Sequence, residues 1–276
     1  MVTTTGPGTF TGPPPGPRPR RRGPWIALAV ITALVVVLPT ATGLTGKLIR
    51  RTQQREQTYP HPVIRGLDVD SDSAAVTVVA GPPGQIKVTQ SLHWTTSKPH
   101  VRLRWDGDTF RVLVQCEDVG PPFAALDCGA DVQLAVPPQV TVRTESSSGS
   151  TEIRGITGEV RAKANSGEID LRNLGGPVTA STMSGEVAGH DLWSPRVDAR
   201  ATSGEIRLNF SRPPTKVSAR ANSGGVRIDV PRGSQYRVQT DATSGGQDVA
   251  RGIASTTASG EIFVATTSGG IKIDYS

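Results

Sequence analysis

The 276-residue chain carries a formal charge of +6, yet eight Lys and Arg and no acidic residue lie in its first 55 positions, so +6 less +8 leaves −2 for the rest. A nucleic-acid binder carries its basic excess on the folded domain, and this distribution excludes nucleic acid as the main partner. Aromatic residues make up only 4% while Gly, Ser, Thr, Val and Ala abound, which points to thin β layers rather than a large aromatic core.

Residues 1–24 hold seven prolines and five glycines and end in the basic cluster Arg18, Arg20, Arg21 and Arg22, so they read as a disordered cytoplasmic tail. From Trp25 the chain turns apolar, and the 20 residues 25–44 would span about 30 Å as a helix, the thickness of a bilayer core. This stretch reads as a single-pass anchor. Its uninterrupted part, Trp25 to Leu38, is only 14 residues, and Pro39, Ala41 and Gly43 leave a cleaved signal peptide as the alternative. Both readings hold Arg20 to Arg22 in the cytoplasm and place the C-terminal part outside it. No Cys adjoins the segment, which excludes a lipoprotein anchor. Residues 45–62 are polar and broken by Pro60 and Pro62, and are expected to be a linker.

Residues 63–138 contain short β-branched or alternating runs at 63–69, 75–80, 86–92, 101–105 and 110–114, each bounded by Gly, Pro or Asp. Asp106-Gly107 between the last two marks a hairpin, because the turn needs a positive φ that Gly adopts cheaply. A small antiparallel β region is expected here. Cys116 and Cys128 flank a Pro-rich loop, and an even pair on an exported domain suggests a disulfide. Two separate buried thiols are the alternative. A metal site is not expected, because His61, His93, His100 and His190 are scattered singly.

From residue 139 the chain repeats itself. Ser-Gly recurs with its glycine at Gly149, Gly167, Gly185, Gly204, Gly224, Gly245, Gly260 and Gly269, and Thr157-Gly158 falls halfway between the first two. The glycine spacings are 18, 18, 19, 20, 21, 15 and 9, so each coil comprises two strands and two turns. The aligned units, such as Val197-Asp-Ala199-Arg-Ala201-Thr-Ser203-Gly204-Glu205-Ile206, alternate with period two. This places Ala199, Val217 and Ala219 inward and Arg200, Ser218 and Arg220 outward. Residues 139–276 are therefore expected to form a β-solenoid, in a chain that is all-β apart from its one N-terminal helix.

These V-x-A-x-T-x-S-G-E-I units, after a Val-Pro strand and behind a single N-terminal anchor, resemble the bacterial β-strand-repeat family of adhesin-like proteins, over about residues 130–276. The resemblance implies a cell-envelope protein of unknown function without established catalytic residues. Gln247, where other units carry Ile or Val, and the shortened spacing of 15 depart from the pattern.

Glu159, Glu168, Glu186, Glu205 and Glu261 occupy equivalent positions, but Gly225, Gly246 and Gly270 interrupt the column, and a solvated turn is the simpler reading than a calcium or cationic-polymer site. Asp68-Val-Asp70-Ser-Asp72 opens like a calcium loop but lacks its Gly and Glu. No G-x-S-x-G elbow and no clustered His supports a hydrolase. A β-helix polysaccharide lyase would need an acidic metal cluster, whereas Asp170, Asp198, Asp229 and Asp241 are spread over different coils. Trp94, Trp105 and Trp193 are candidates for sugar stacking or for edge packing. No enzyme activity and no cofactor are expected. The expectation is an extracytoplasmic, membrane-anchored binding protein for an envelope polymer or surface protein, with a structural or stress-sensing envelope role as the alternative.

Overall fold

The computed structural model describes residue 32 and residues 51–94, 98–116 and 128–276. The expected tail of 1–24 and the apolar segment 25–44 lie outside the described residues, apart from Thr32. The chain divides into Met1–Lys47 and Leu48–Ser276, and the described strands all lie in the second unit. Among the described residues no helix is long and apolar enough to cross a membrane.

In chain order the strands are β1 (Arg51–Pro60), β2 (Gly66–Ser71), β3 (Ala74–Ala80), β4 (Gln85–Trp94), β5 (His100–Asp106), β6 (Thr109–Gln115) and β7 (Cys128–Val136). The repeat region supplies β8 (Thr141–Ser148), β9 (Thr151–Arg154), β10 (Val160–Ser166), β11 (Ile169–Arg172), β12 (Val178–Ser184), β13 (Val187–Leu192) and β14 (Arg196–Ser203). It continues with β15 (Ile206–Phe210), β16 (Lys216–Ser223), β17 (Val226–Val230), β18 (Tyr236–Ser244), β19 (Gln247–Val249), β20 (Gly260–Ser268) and β21 (Ile271–Tyr275).

They form two sheets, one of eleven strands in the order β1-β4-β7-β3-β9-β11-β13-β15-β17-β21-β19 and one of ten in the order β18-β20-β16-β14-β12-β10-β8-β2-β6-β5. Each coil gives one strand to each sheet. From β8 to β17 five coils stack in chain order, all parallel and in register, so that Ala162, Ala180, Ala199 and Ala219 lie side by side. The period-two alternation is realised as read: Ala199, Val217 and Ala219 are fully buried. Small residues line the ten-stranded sheet and face Leu171, Leu208 and Ile228 of the other, and this pairing of small with large closes the interior. Where β13 has Gly189 in place of the large residue, the register shifts and the Leu192 side chain fills the space beside it.

The ends break the chain order. The last coil, β20 and β21, is inserted between β16/β17 and the outermost β18/β19. At the opposite end β2/β3 lies between β6/β7 and β8/β9, again in parallel pairing. The segment 63–138 is thus not a separate antiparallel sheet. Its β2, β3, β6 and β7 are coils of the same stack, and among the described residues antiparallel pairing is confined to β4 on β7, β5 on β6 and β1 on β4. The local signals identified the strands, but their partners are set by inward runs such as Val76 and Val78, which need cover on both flanks. The expected linker is also corrected. Its residues Arg51–Pro60 form β1, a largely exposed polar edge strand that lies along β4 and touches the core only near its end, where the Tyr59 ring packs 5.1 Å from Phe110.

Candidate binding groove

The nine predicted turn glycines do not form one set. Gly149, Gly167, Gly185, Gly204, Gly224, Gly269 and Gly245 stack in that spatial order along one edge. At Gly204, with φ +152°, an added Cβ would stand 1.7 Å from the Gly185 carbonyl oxygen. The Gly204 N–H meanwhile donates to the Ser223 carbonyl at 2.9 Å, so backbone packs directly on backbone and only Gly fits. Gly158 belongs instead to the opposite edge, under Gly176. Gly260 is no turn at all: it opens β20 and packs on the Tyr236 ring. Its Ser-Gly dipeptide matches the motif only in letters, which explains the aberrant spacing of 15.

Cys116 and Cys128 are joined, with Cα atoms 6.0 Å apart, at the β6/β7 coil. The three tryptophans are engaged within the chain. Trp105 stacks on His61 at 4.1 Å, Trp94 lies beneath Lys98 at 5.4 Å, and Trp193 donates to Asn173 Oδ1 at 3.1 Å with Arg212 over its ring at 5.0 Å. The five glutamates likewise form no single column. Glu168 and Glu186 precede strands of the eleven-stranded sheet, as Glu205 does, whereas Glu159 precedes β10 and Glu261 lies within β20. Glu261 is held below its ordinary range by hydrogen bonds from Arg237, at 2.6 Å, and Lys216.

The two outer faces differ in how their charges are used. On the eleven-stranded sheet, Arg172 pairs with Asp170 at 2.6 Å and Glu152 at 3.3 Å, Arg207 with Glu205 at 2.6 Å and with Glu186, and Arg227 with Asp229 at 2.9 Å. These hydrogen bonds raise all three guanidinium groups further above their usual range. The face neutralises itself coil by coil. On the ten-stranded sheet, Arg200 bonds Asp198 at 2.8 Å, and Arg220 lies 4.7 Å over the Phe263 ring. Ser218, expected outward, does point out but is covered by these neighbours.

Toward β5 the ten-stranded face opens into a groove of about 440 Å³ lined by outward residues of β5, β6, β2 and β8. Alternation puts Arg102 and Arg104 on its β5 wall, Arg111 on β6, Asp68 and Asp70 on β2, and Arg143 and Glu145 on β8. Arg111 is committed to Asp106 at 2.9 Å and approaches Asp68 at 3.9 Å. Among the described residues the side chains of Arg102, Arg104 and Arg143 make no ion pair or hydrogen bond. Asp70 and Glu145 face each other in register, and partial desolvation, then Glu145, Asp72 and Asp68, holds Asp70 above the ordinary carboxylate range. The aspartates first weighed as a calcium loop are thus strand residues beside three unneutralised guanidinium groups. The groove escaped the sequence reading, although the alternation in His100-Val-Arg-Leu-Arg-Trp does place Arg102 and Arg104 on one face. Their meeting with Arg143 depends on β2 and β6 docking on β8, a long-range pairing without a local signal.

Residues 130–274 match the Toastrack DUF4097 family, just over half of the chain, and the protein belongs to that family. This is the β-strand-repeat family that the V-x-A-x-T-x-S-G-E-I units resemble. No curated protein matches the sequence. Among solved structures the chain is similar to a candidate cell adhesion protein of Clostridium sporogenes, at 8% identity and TM-score 0.34, covering 82% of this chain and 100% of the other. A candidate adhesin of Parabacteroides distasonis gives 8% identity and TM-score 0.40, with 80% and 97% covered. A candidate lipid-binding protein of the same organism gives 12% and 0.37, with 82% and 97% covered. These likenesses are loose, and the family assignment rests on the 130–274 match.

Proposed function

We propose that this protein is a membrane-tethered, extracytoplasmic, adhesin-like binding module of the cell envelope and carries out no catalysis. The observation that carries the reading is the contrast between the faces: one is closed by its own ion pairs, while the other presents a groove with three arginines left available on a backbone-stacked scaffold. The apolar residues 25–44 behind a basic cluster support the tether, and a disulfide suits an oxidising compartment outside the cytoplasm. A structural or stress-sensing role is the second reading, favoured by the self-neutralised eleven-stranded face, which offers a partner little.

Two measurements test this. Alkaline phosphatase fused after Ser276 should be active; an inactive fusion, with β-galactosidase active at the same point, reverses the topology. The full-length chain in nanodiscs should be retained by insoluble envelope material without releasing reducing or unsaturated sugar ends. Retention with catalytic release overturns the non-enzymatic reading, and no retention favours the structural one.

A further inference from the structure

We infer that the groove between β5 and β8 binds an extended anionic polymer, seating its carboxylate or phosphate groups on Arg102, Arg104 and Arg143. The inference rests on the binding-module reading and names the chemistry of its ligand.

The spacing of the guanidinium groups suits a chain better than a single ion. Arg102 and Arg104 are two residues apart on one strand, about 7 Å, and Arg143 lies three strands away from β5, about 14 Å at 4.8 Å per strand. A guanidinium presents a planar fork of donors that matches carboxylate and phosphate oxygens, so successive anionic groups of one chain can be held along and across the groove. Elsewhere on the same molecule several strand arginines are satisfied internally, among them Arg154, Arg161, Arg200 and Arg237, while Arg51, Arg55 and Arg196 are unpaired among the described residues but line no concavity with one another. Three that are not, around one concavity, leave donor capacity that a ligand can use.

The groove also holds Asp68, Asp70 and Glu145, and these set where the anion goes. Asp68 is engaged with Arg111, while Asp70 and Glu145 repel one another and any anion placed above them. An anionic chain is therefore directed to the β5 wall and to Arg143 rather than spread over the groove floor. A bilayer surface is the poorer match. Among the described residues Val63 and Met183 are the exposed large hydrophobics, and neither lines the groove; its apolar lining, Val112 and Leu113 of β6, is buried or half-buried and offers nothing that protrudes into a bilayer.

The test measures affinity of the full-length chain, in nanodiscs of zwitterionic lipid, for polygalacturonate, poly(glycerol phosphate), neutral dextran and phosphatidylglycerol vesicles. One or both anionic polymers should bind, more weakly as salt rises, and dextran should not. The triple variant Arg102→Gln, Arg104→Gln, Arg143→Gln should bind at least tenfold more weakly, with Arg200→Gln unchanged. Asp70→Asn, which removes a repelling carboxylate, should tighten binding, a gain that disturbed folding cannot imitate. Equal affinity of the triple variant and the parent would overturn the groove; if envelope material were still retained, the binding-module reading would stand. Failure of the parent to bind either polymer, or binding to vesicles alone, would overturn the polymer assignment. Retention of no probe and no envelope material would overturn both.

Discussion

The five middle coils and the two ends of the stack are made of similar letters but assembled differently. In the middle, from β8 to β17, the five coils stack on one another in chain order, and Val160, Val178, Val197 and Val217 align without interruption. At each end a coil is inserted out of order, and at the β5 end antiparallel strands and a disulfide complete the structure. Identical units thus specify how coils stack but not which coil stacks on which. That choice is made by side chains that fit only one seat, such as Tyr236, buried against Gly260.

The largest effect should come from removing residues 260–276. In a chain-ordered solenoid this would shorten the stack by one end coil. Here it removes an inner one and uncovers Val217, Ala219, Val226 and Ile228. The lost burial of Ile262, Val264, Ile271 and Ile273 alone amounts to roughly 6 to 12 kcal/mol, comparable to the total stability of a domain. Circular dichroism should show no cooperative thermal transition. A transition within a few degrees of the parent would mean that β18/β19 takes the vacated seat and the inserted order is dispensable.

Next, Gly204→Ala in the middle should cost at least about 3 kcal/mol, since it combines a glycine-only φ with a Cβ 1.7 Å from a carbonyl oxygen. Gly246→Ala, at the end with nothing within 4 Å of its Cβ, should change stability by under about 0.5 kcal/mol. Equal urea midpoints for the two variants would contradict the backbone-on-backbone packing. Removing the disulfide with Cys116→Ser and Cys128→Ser should cost roughly 3 kcal/mol, as expected for closing a loop of about 13 residues. A loss below about 1 kcal/mol would show that the β5 end is held by its strand pairing instead.

Two smaller effects concern polar groups. Thr182 is buried in the middle and its hydroxyl finds no partner, so Thr182→Val should stabilise by about 1 kcal/mol. Destabilisation would reveal a hydrogen bond made to a group not yet recognised. Asp70 is held above the ordinary carboxylate range, so its ionised form is disfavoured in the folded state. Folded protein therefore binds this proton more tightly than unfolded protein, and stability at this site rises as pH falls through the raised pKa. Asp70→Asn should raise Tm at pH 7, and the gain should disappear at acid pH where the parent residue is protonated. A gain independent of pH would rule out the charge explanation.

What the sequence made legible follows the same division. Strand identity, inward and outward faces and the Ser-Gly edge were readable from 139 onward, because each unit repeats its own register and the alternation of Val, Ala and Ser with Arg, Asp and Asn is local. The dipeptide Ser259-Gly260 misled, since the same two letters serve a turn in one place and the start of a strand in another. Between 51 and 138 the β-branched runs marked β2 to β6, whereas β7 was not among them and β1, rich in Gln, Thr and Glu, carries little apolar signal. Their parallel seats were not readable, because the pairing of β2 with β8 spans about 75 positions and nothing local marks it. The groove inherits that difficulty, being made by the pairing itself.

The inserted coil also imposes an order in time. Synthesis delivers β18 and β19 before β20 and β21, yet the later pair must sit inside the earlier one. While the last residues are still missing, β16 presents Val217, Ala219 and Ala221 to a β18 whose Val238, Thr240 and Ala242 carry the same alternation and end at the same Ser-Gly turn. The premature partner is thus a good copy of the correct one, and β18/β19 must either wait or be displaced when β20 arrives. Completion of this fold is an insertion rather than an addition at the end of the stack, and the inner seat stays unfilled in its native form until β20 and β21 are free to enter.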